Sequence, residues 1–314
     1  MMTSMKYMFL FALICLCSCK NQKVSEQTDT KDSIEVEDKF ILPAIPAMLT
    51  TPEQRSNYLA KHYWDNFDFA DTTYIHRREI TEQAWVDYID LLKYVTLPTA
   101  QISLKEFMIK AASKEKKVFM YFTELADKYF YDPNSPMRNE EFYIPVLQAM
   151  IATPILSKTE KIRPQARLEL ANKNRVGTPA INFTYTLLSG AKGTLHGLSA
   201  KYTLLFFNNP GCHACEEYIR KIKGSAMINK LIADKKMKVL AIYTDEELDE
   251  WKRHLKEFPQ EWINGYDKSA TIKTKNIYDL KAIPTLYLLD KRKKVLLKDA
   301  NLPDVEIYFQ EVKE

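Results

Sequence analysis

With 314 residues, 46% of them apolar and 27% charged, the chain has the composition of folded globular protein and the length of about two domains. A formal charge of +4 over that length is small, so the balance implies neither nucleic acid nor an anionic membrane surface as a partner. Of the five cysteines, Cys15, Cys17 and Cys19 crowd the start of the chain, which leaves too few for a disulfide framework.

The chain opens with Lys6 ahead of an unbroken apolar run, Met8 to Cys17. Such a run has signal-peptide length and is too short to span a bilayer. It ends in Leu16-Cys17-Ser18-Cys19, which resembles a bacterial lipobox. That resemblance implies that residues 1–18 are removed and that Cys19, acylated, becomes the first residue of a lipoprotein. An ordinary signal peptide or an uncleaved short anchor is the alternative. Residues 19–39 are polar and charged, and read as a disordered tether.

From residue 40 to 175 the pattern is helical. Thr51-Pro52-Glu53 predicts a capped first helix with Tyr58, Leu59, His62 and Tyr63 at helical spacing. Thr81 is the expected cap of a second, with Trp85, Tyr88, Ile89 and Leu92 as its stripe. Ser103 is the expected cap of a third, and Val118 to Tyr131 reads as a fourth. After a break at Asp132-Pro133-Asn134-Ser135-Pro136, helices are expected over 139–155 and 163–173. All seven glycines lie between Gly177 and Gly265, so the chain before Gly177 offers few left-handed positions for a hairpin-rich sheet. The aromatics Tyr58, Tyr63, Trp64, Phe67, Phe69 and Tyr74 are expected to be mostly core.

Residues 176–314 read as α/β. A strand over 180–187 and a return through Thr194-Leu195 form a hairpin around Ser189 to Gly193. Lys201 to Asn208 is an apolar strand, followed by turn chemistry at Asn208-Asn209-Pro210-Gly211 and a helix from Cys212. Further elements are expected at 226–235, 237–243, 262–266 and 271–280, and in a helix capped at Thr244 that ends near Phe258. A final strand pair, 285–289 with 295–297, precedes a helix opened by Pro303. The basic run Lys291 to Lys294 reads as the solvated tip of that pair.

Cys212-His213-Ala214-Cys215 stands where strand, turn and helix meet. The first cysteine sits at the helix start, where unpaired N–H groups favour a thiolate. The second lies on the same face, within reach for a Cys212–Cys215 disulfide. Cys212 should therefore titrate below Cys215. Zinc would need further ligands, and no second Cys-x-x-Cys or His-x-x-x-His occurs after Cys19.

With Ala282-Ile283-Pro284-Thr285 ahead of another apolar run, this arrangement resembles the thioredoxin-like family, in its membrane-anchored periplasmic branch of thiol-disulfide oxidoreductases. The resemblance covers residues 176–314. It implies a central mixed sheet flanked by helices, with the extra N-terminal hairpin of that branch. It also implies Cys212 as nucleophile, Cys215 as resolving thiol, Pro284 as a cis-proline facing them, and Ile283 as a main-chain contact for substrate. No cofactor and no metal are implied. The helical part resembles a domain of unknown function that precedes thioredoxin-like domains in bacterial lipoproteins.

Departures from the family pattern are visible. Gly211 stands where tryptophan is common, and Phe206 where cytoplasmic thioredoxin has a buried acid. Relatives that act as oxidases place histidine directly before the second cysteine, where this chain has Ala214. His213, one position earlier, is a candidate for stabilising the neighbouring thiolate or contacting substrate. Glu216 and Glu217 are ordinary partners of a helix N-terminus and candidate proton acceptors.

The expected function is thus thiol-disulfide exchange, reducing disulfides of exported proteins, with protein thiols and an upstream electron donor as partners and a lipid-anchored place in the bacterial cell envelope, facing the periplasm. The alternative is a lipid-anchored partner- or ligand-binding protein that uses the fold as a scaffold. The run Pro-x-x-x-Thr/Ser-x-x-Cys of peroxide-reducing relatives does not precede Cys212.

Overall fold

The computed structural model describes residues 39–312. The expected signal peptide, Cys19 and nearly all of the expected tether lie outside the described residues. Lys39 onward forms one compact unit. Among the described residues, no helix is long and apolar enough to cross a membrane.

The helical part holds α1 (Pro52–His62), α2 (Arg78–Leu91), α3 (Leu97–Ala112), α4 (Lys116–Ala126), α5 (Glu140–Ala152) and α6 (Lys158–Ala171). Thr51 caps α1 as expected, through a capping box with Gln54. Three starts differ from the sequence expectation. Thr81 lies inside α2, and its hydroxyl donates to the Tyr74 carbonyl at 2.8 Å, tying the helix to the preceding turn. Thr96 caps α3, so Ser103 is a buried mid-helix residue rather than a cap. The capping box Ser157–Glu160 opens α6 before Arg163; the polar first turn hid it from an apolar-periodicity reading.

Two irregularities mark the helical part. Helix α4 runs into a π-helical turn, Asp127–Tyr131. In α5, Pro145 has no N–H for the Glu141 carbonyl; Gln101 Nε2 donates to it instead, at 3.0 Å. The core is a cluster of rings: Trp64 to Phe107 at 4.8 Å and Phe107 to Phe122 at 4.8 Å between centroids, with Trp85 and Tyr88 fully buried. Tyr63, Trp64, Phe67 and Phe69 are buried as expected, while Tyr58 and Tyr74 are only partly so.

The α/β part runs β1 (Thr184–Leu187), β2 (Lys192–Thr194), β3 (Tyr202–Asn208), α7 (His213–Gly224), α8 (Ala226–Ala233), β4 (Met237–Tyr243), α9 (Leu248–His254), β5 (Ile263–Tyr266), α10 (Thr271–Thr274), β6 (Thr285–Asp290), β7 (Val295–Lys298) and α11 (Leu302–Glu311). One mixed sheet has the order β2-β1-β5-β4-β3-β6-β7. Strand β3 is buried at every position, as its apolar run predicts for a strand covered on both faces. It lies parallel to β4 and antiparallel to β6. Phe207 faces Thr285, so the end of β3 meets the start of β6. The ring of Tyr185 explains two glycines: a Cβ on Gly193 would come within 2.4 Å of it, and one on Gly265 within 2.9 Å.

Four expectations are corrected. The first strand is shorter than 180–187, because Ala180 N–H bonds the Lys293 carbonyl on the far edge of the sheet. Thr244 does not cap α9; its hydroxyl is buried without a partner, and the helix starts after Glu247. The helix expected over 271–280 is one turn, because Asn276 takes a left-handed φ of 45°. The basic run is not wholly solvated: Lys293 is 2% exposed, its φ is 61°, and its Nζ donates to Thr203 Oγ1 at 2.8 Å. The Asp290 carboxylate accepts from the Arg292 and Lys294 N–H groups, closing a turn tight enough to send Lys293 inward. Burial holds the Lys293 ammonium below its ordinary pKa.

Candidate active site

Strand β3 carries the chain to Asn208, and the turn Asn209-Pro210-Gly211 hands it to α7. Gly211 has φ +68°, a left-handed position open to glycine. A tryptophan there would be strained, which accounts physically for that departure. Cys212 is the N-cap of α7 in extended conformation, and Cys215 is in its first turn. The two thiols are free.

Their surroundings differ. Cys212 is half-buried, whereas Cys215 is 1% exposed. Burial pushes the Cys215 thiol up to about 12. The Asn209 N–H, 3.5 Å from Cys215 Sγ, works against that rise, while the Cys212 thiol and Glu216 add to it. Cys215 is thus a protonated, shielded thiol at neutral pH, and Cys212 is the one that outside reagents can reach.

The Ile283–Pro284 peptide bond is cis, and the Ile283 carbonyl oxygen lies 3.9 Å from Cys212 Sγ. The β3–β6 register brings these residues together across 71 positions of sequence. Cys212, Cys215, Ile283 and Pro284 therefore converge on one spot. His213 sits beside it but is exposed. Its contribution falls on Glu217, whose carboxyl is held below the ordinary range mainly by Lys221 at 2.6 Å. Glu216 faces Arg220 at 3.9 Å. Phe206 is fully buried among Ile219, Leu286 and Trp262, leaving no acid at its position.

A cleft of about 730 Å³ adjoins this spot, and its second wall belongs to the helical part. Ile283 and Pro284 line one side; Tyr131, Pro133, Asn134 and Pro136 line the other. The seam between the two parts is charged. Arg138 Nη2 reaches the Asp299 carboxylate at 3.2 Å and donates to its carbonyl at 2.7 Å. The Lys298 side chain, 8% exposed, pairs with Glu140 and donates to the Lys173 carbonyl at 2.7 Å. Lys281 pairs with Asp279 and lies 4.5 Å from the centre of the Tyr131 ring, which the Arg167 guanidinium also approaches, at 4.1 Å. Burial holds the Glu140 and Asp299 carboxyls above the usual range, against the pull of Lys298 and Arg138. Sequence reasoning missed this wall: Tyr131, Arg138 and Glu140 carry no motif, and their partners across the seam lie far along the chain, in the α/β part.

Comparison with known proteins agrees with this architecture. Residues 17–174 match the model for a domain of unknown function, DUF5106, and residues 199–295 match a thioredoxin-like model. A crystal structure of a thioredoxin-like protein from Bacteroides caccae is 63% identical, covering 88% of this chain and 99% of that one, with a TM-score of 0.86. The C-terminal domain of an uncharacterised protein from Bacteroides fragilis is 66% identical over 44% of this chain and 98% of its own length, with a TM-score of 0.43. A conserved protein of unknown function from Bacteroides fragilis is 36% identical over 43% of this chain and 98% of its own, with a TM-score of 0.42. No curated protein matches the chain. With a helical N-terminal region, a mixed sheet flanked by helices and the Bacteroides caccae relative along nearly its whole described length, the chain belongs to the thioredoxin-like family.

Proposed function

We propose that the protein is a thiol-disulfide oxidoreductase that reduces disulfides of exported proteins through Cys212 and Cys215. The observation that carries this is the asymmetry of the pair: an accessible thiol at a helix N-terminus, and a buried one a turn later that attacks only from within. The Cys212 thiolate attacks one sulfur of a substrate disulfide. The substrate S–S bond breaks, and its other sulfur leaves as a thiolate that takes up a proton. Cys215, losing its proton, then attacks Cys212 Sγ, releasing the second substrate sulfur and closing the Cys212–Cys215 disulfide. Two electrons and two protons pass to the substrate, and an upstream dithiol donor must return them. The open side of Ile283 beside Pro284 is where the substrate main chain rests.

Redox titration of the couple in thiol/disulfide buffers tests the direction of the reaction. A midpoint near about −270 mV makes the pair a reductant, and one near about −120 mV an oxidant. A pair that never closes in any buffer removes the enzyme altogether.

The place of action belongs to the same proposal: acylation at Cys19, anchorage in the bacterial cell envelope and a periplasmic orientation, supported by the Leu16-Cys17-Ser18-Cys19 sequence. Metabolic labelling with a fatty acid should tag the wild-type protein and miss Cys19→Ala. Equal labelling of the two would reject the anchor.

A further inference from the structure

The cleft beside Pro284 is larger than disulfide exchange itself requires. Attack on a sulfur needs access to Cys212 Sγ, which the half-buried thiol already has. Yet Ile283, whose carbonyl faces that sulfur, continues into about 730 Å³ of space walled on the far side by the 131–136 segment of the helical part. Ile283 thus borders both the reactive sulfur and the cleft.

The chemistry of the lining narrows the occupant. Its three cations, Arg138, Lys281 and Lys298, are each taken by an internal carboxylate. None is left to hold an anionic small molecule, and recognition by free charge is absent among the lining cations. Apart from the carboxylates Glu140, Glu141, Asp299 and Asp304, what remains is uncharged, chiefly the Tyr131 and Tyr218 rings with Pro133 and Pro136. The Ile283 N–H, meanwhile, donates to no group among the described residues. A main-chain donor at one end and rings and prolines along the wall suit a polypeptide backbone in extended form more than any charged metabolite.

Resting on the redox reading above, we propose that the helical domain is the second wall of the substrate groove. The cleft receives the extended polypeptide segment that flanks the cysteine attacked by Cys212, so the substrate class is disulfides in unfolded or flexible chain rather than low-molecular-weight disulfides. The charge pairs at the seam hold the wall in place, and the paired state of those charges makes selection largely indifferent to sequence.

The test compares two substrates on the full-length reduced protein: a synthetic peptide closed by one disulfide, and hydroxyethyl disulfide. Two variants fill the cleft from separate, exposed positions, Asn134→Trp and Val176→Trp. Either one carries the test, provided its melting temperature matches wild type. The expected result is that the peptide-to-small-disulfide ratio of second-order rate constants falls about tenfold in the variants, the loss of one modest set of contacts. A ratio unchanged in a folded variant overturns the groove and leaves the redox reading standing. Wild-type protein that reduces neither substrate overturns both.

Discussion

Cys212→Ser should slow disulfide reduction by about three orders of magnitude or more, since an alcohol supplies no thiolate at neutral pH. Cys215→Ser should also stop turnover, but at a later step: it keeps the attack and loses the release. The two are separable by pH in the wild-type protein. With the Cys215 thiol pushed up to about 12, its thiolate fraction rises roughly tenfold per pH unit below that value. Single-turnover release of substrate, followed after the mixed disulfide has formed, should therefore speed up steadily as pH rises above neutrality. A release rate flat from pH 7 to pH 10 would show that ionisation of Cys215 does not govern the step.

The second large effect is on stability. Lys298→Met should cost about 3 kcal/mol, because it leaves Glu140 as an uncompensated charge in a buried seam. The sign with pH follows from the direction of the Glu140 shift. Burial already holds its carboxyl above 4.5, so the charged form opposes folding and the protonated form does not. Removing the ammonium that pulls the pKa down enlarges this effect. The deficit of the variant should therefore be largest at neutral pH and shrink on acidification toward the pKa of Glu140. Urea unfolding at the two pH values measures it. A deficit that is small, or that grows in acid, would mean the pair is solvated.

How far such features can be read from one sequence depends on their range. Strand β3, the turn at Gly211 and the dithiol at the head of α7 are local, since apolar continuity, turn residues and cysteine spacing all fall between Tyr202 and Cys215. Strand β4 was legible to the residue, because an apolar run broken only by the exposed Lys238 and bounded by polar residues has few alternative readings. Helix starts were less so. Thr81, Ser103 and Thr244 have cap chemistry, but Thr81 is bonded to an earlier turn and the other two are buried. Lys293 misled for a similar reason: a lysine in a basic run reads as solvated, and only the turn around Asp290 sends it into the sheet. The convergence of Cys212 with Ile283 and Pro284 was reached through family resemblance, not through spacing. The helical wall of the cleft was out of reach, because the pairing of Arg138 with Asp299 leaves no trace in either residue's neighbours.

The role of the helical domain as a substrate wall would also explain why a chain with a self-contained sheet carries it. The hydrophobic cores of the two parts do not mix: one is built from residues 60–156 and the others from residues 180–305. Contact between the parts is charged and aromatic, placed beside Pro284. A seam made of ion pairs holds a fixed geometry without contributing a shared core.

The central claim, that Cys212 attacks and Cys215 resolves, is tested most directly by trapping. Full-length Cys215→Ser, expressed in its native compartment and run on non-reducing gels, should accumulate as adducts with partner proteins. The adducts should collapse to the monomer with dithiothreitol and be absent from Cys212→Ser. Adducts on both variants alike would contradict the assigned roles, and adducts on neither would favour a binding scaffold over an enzyme.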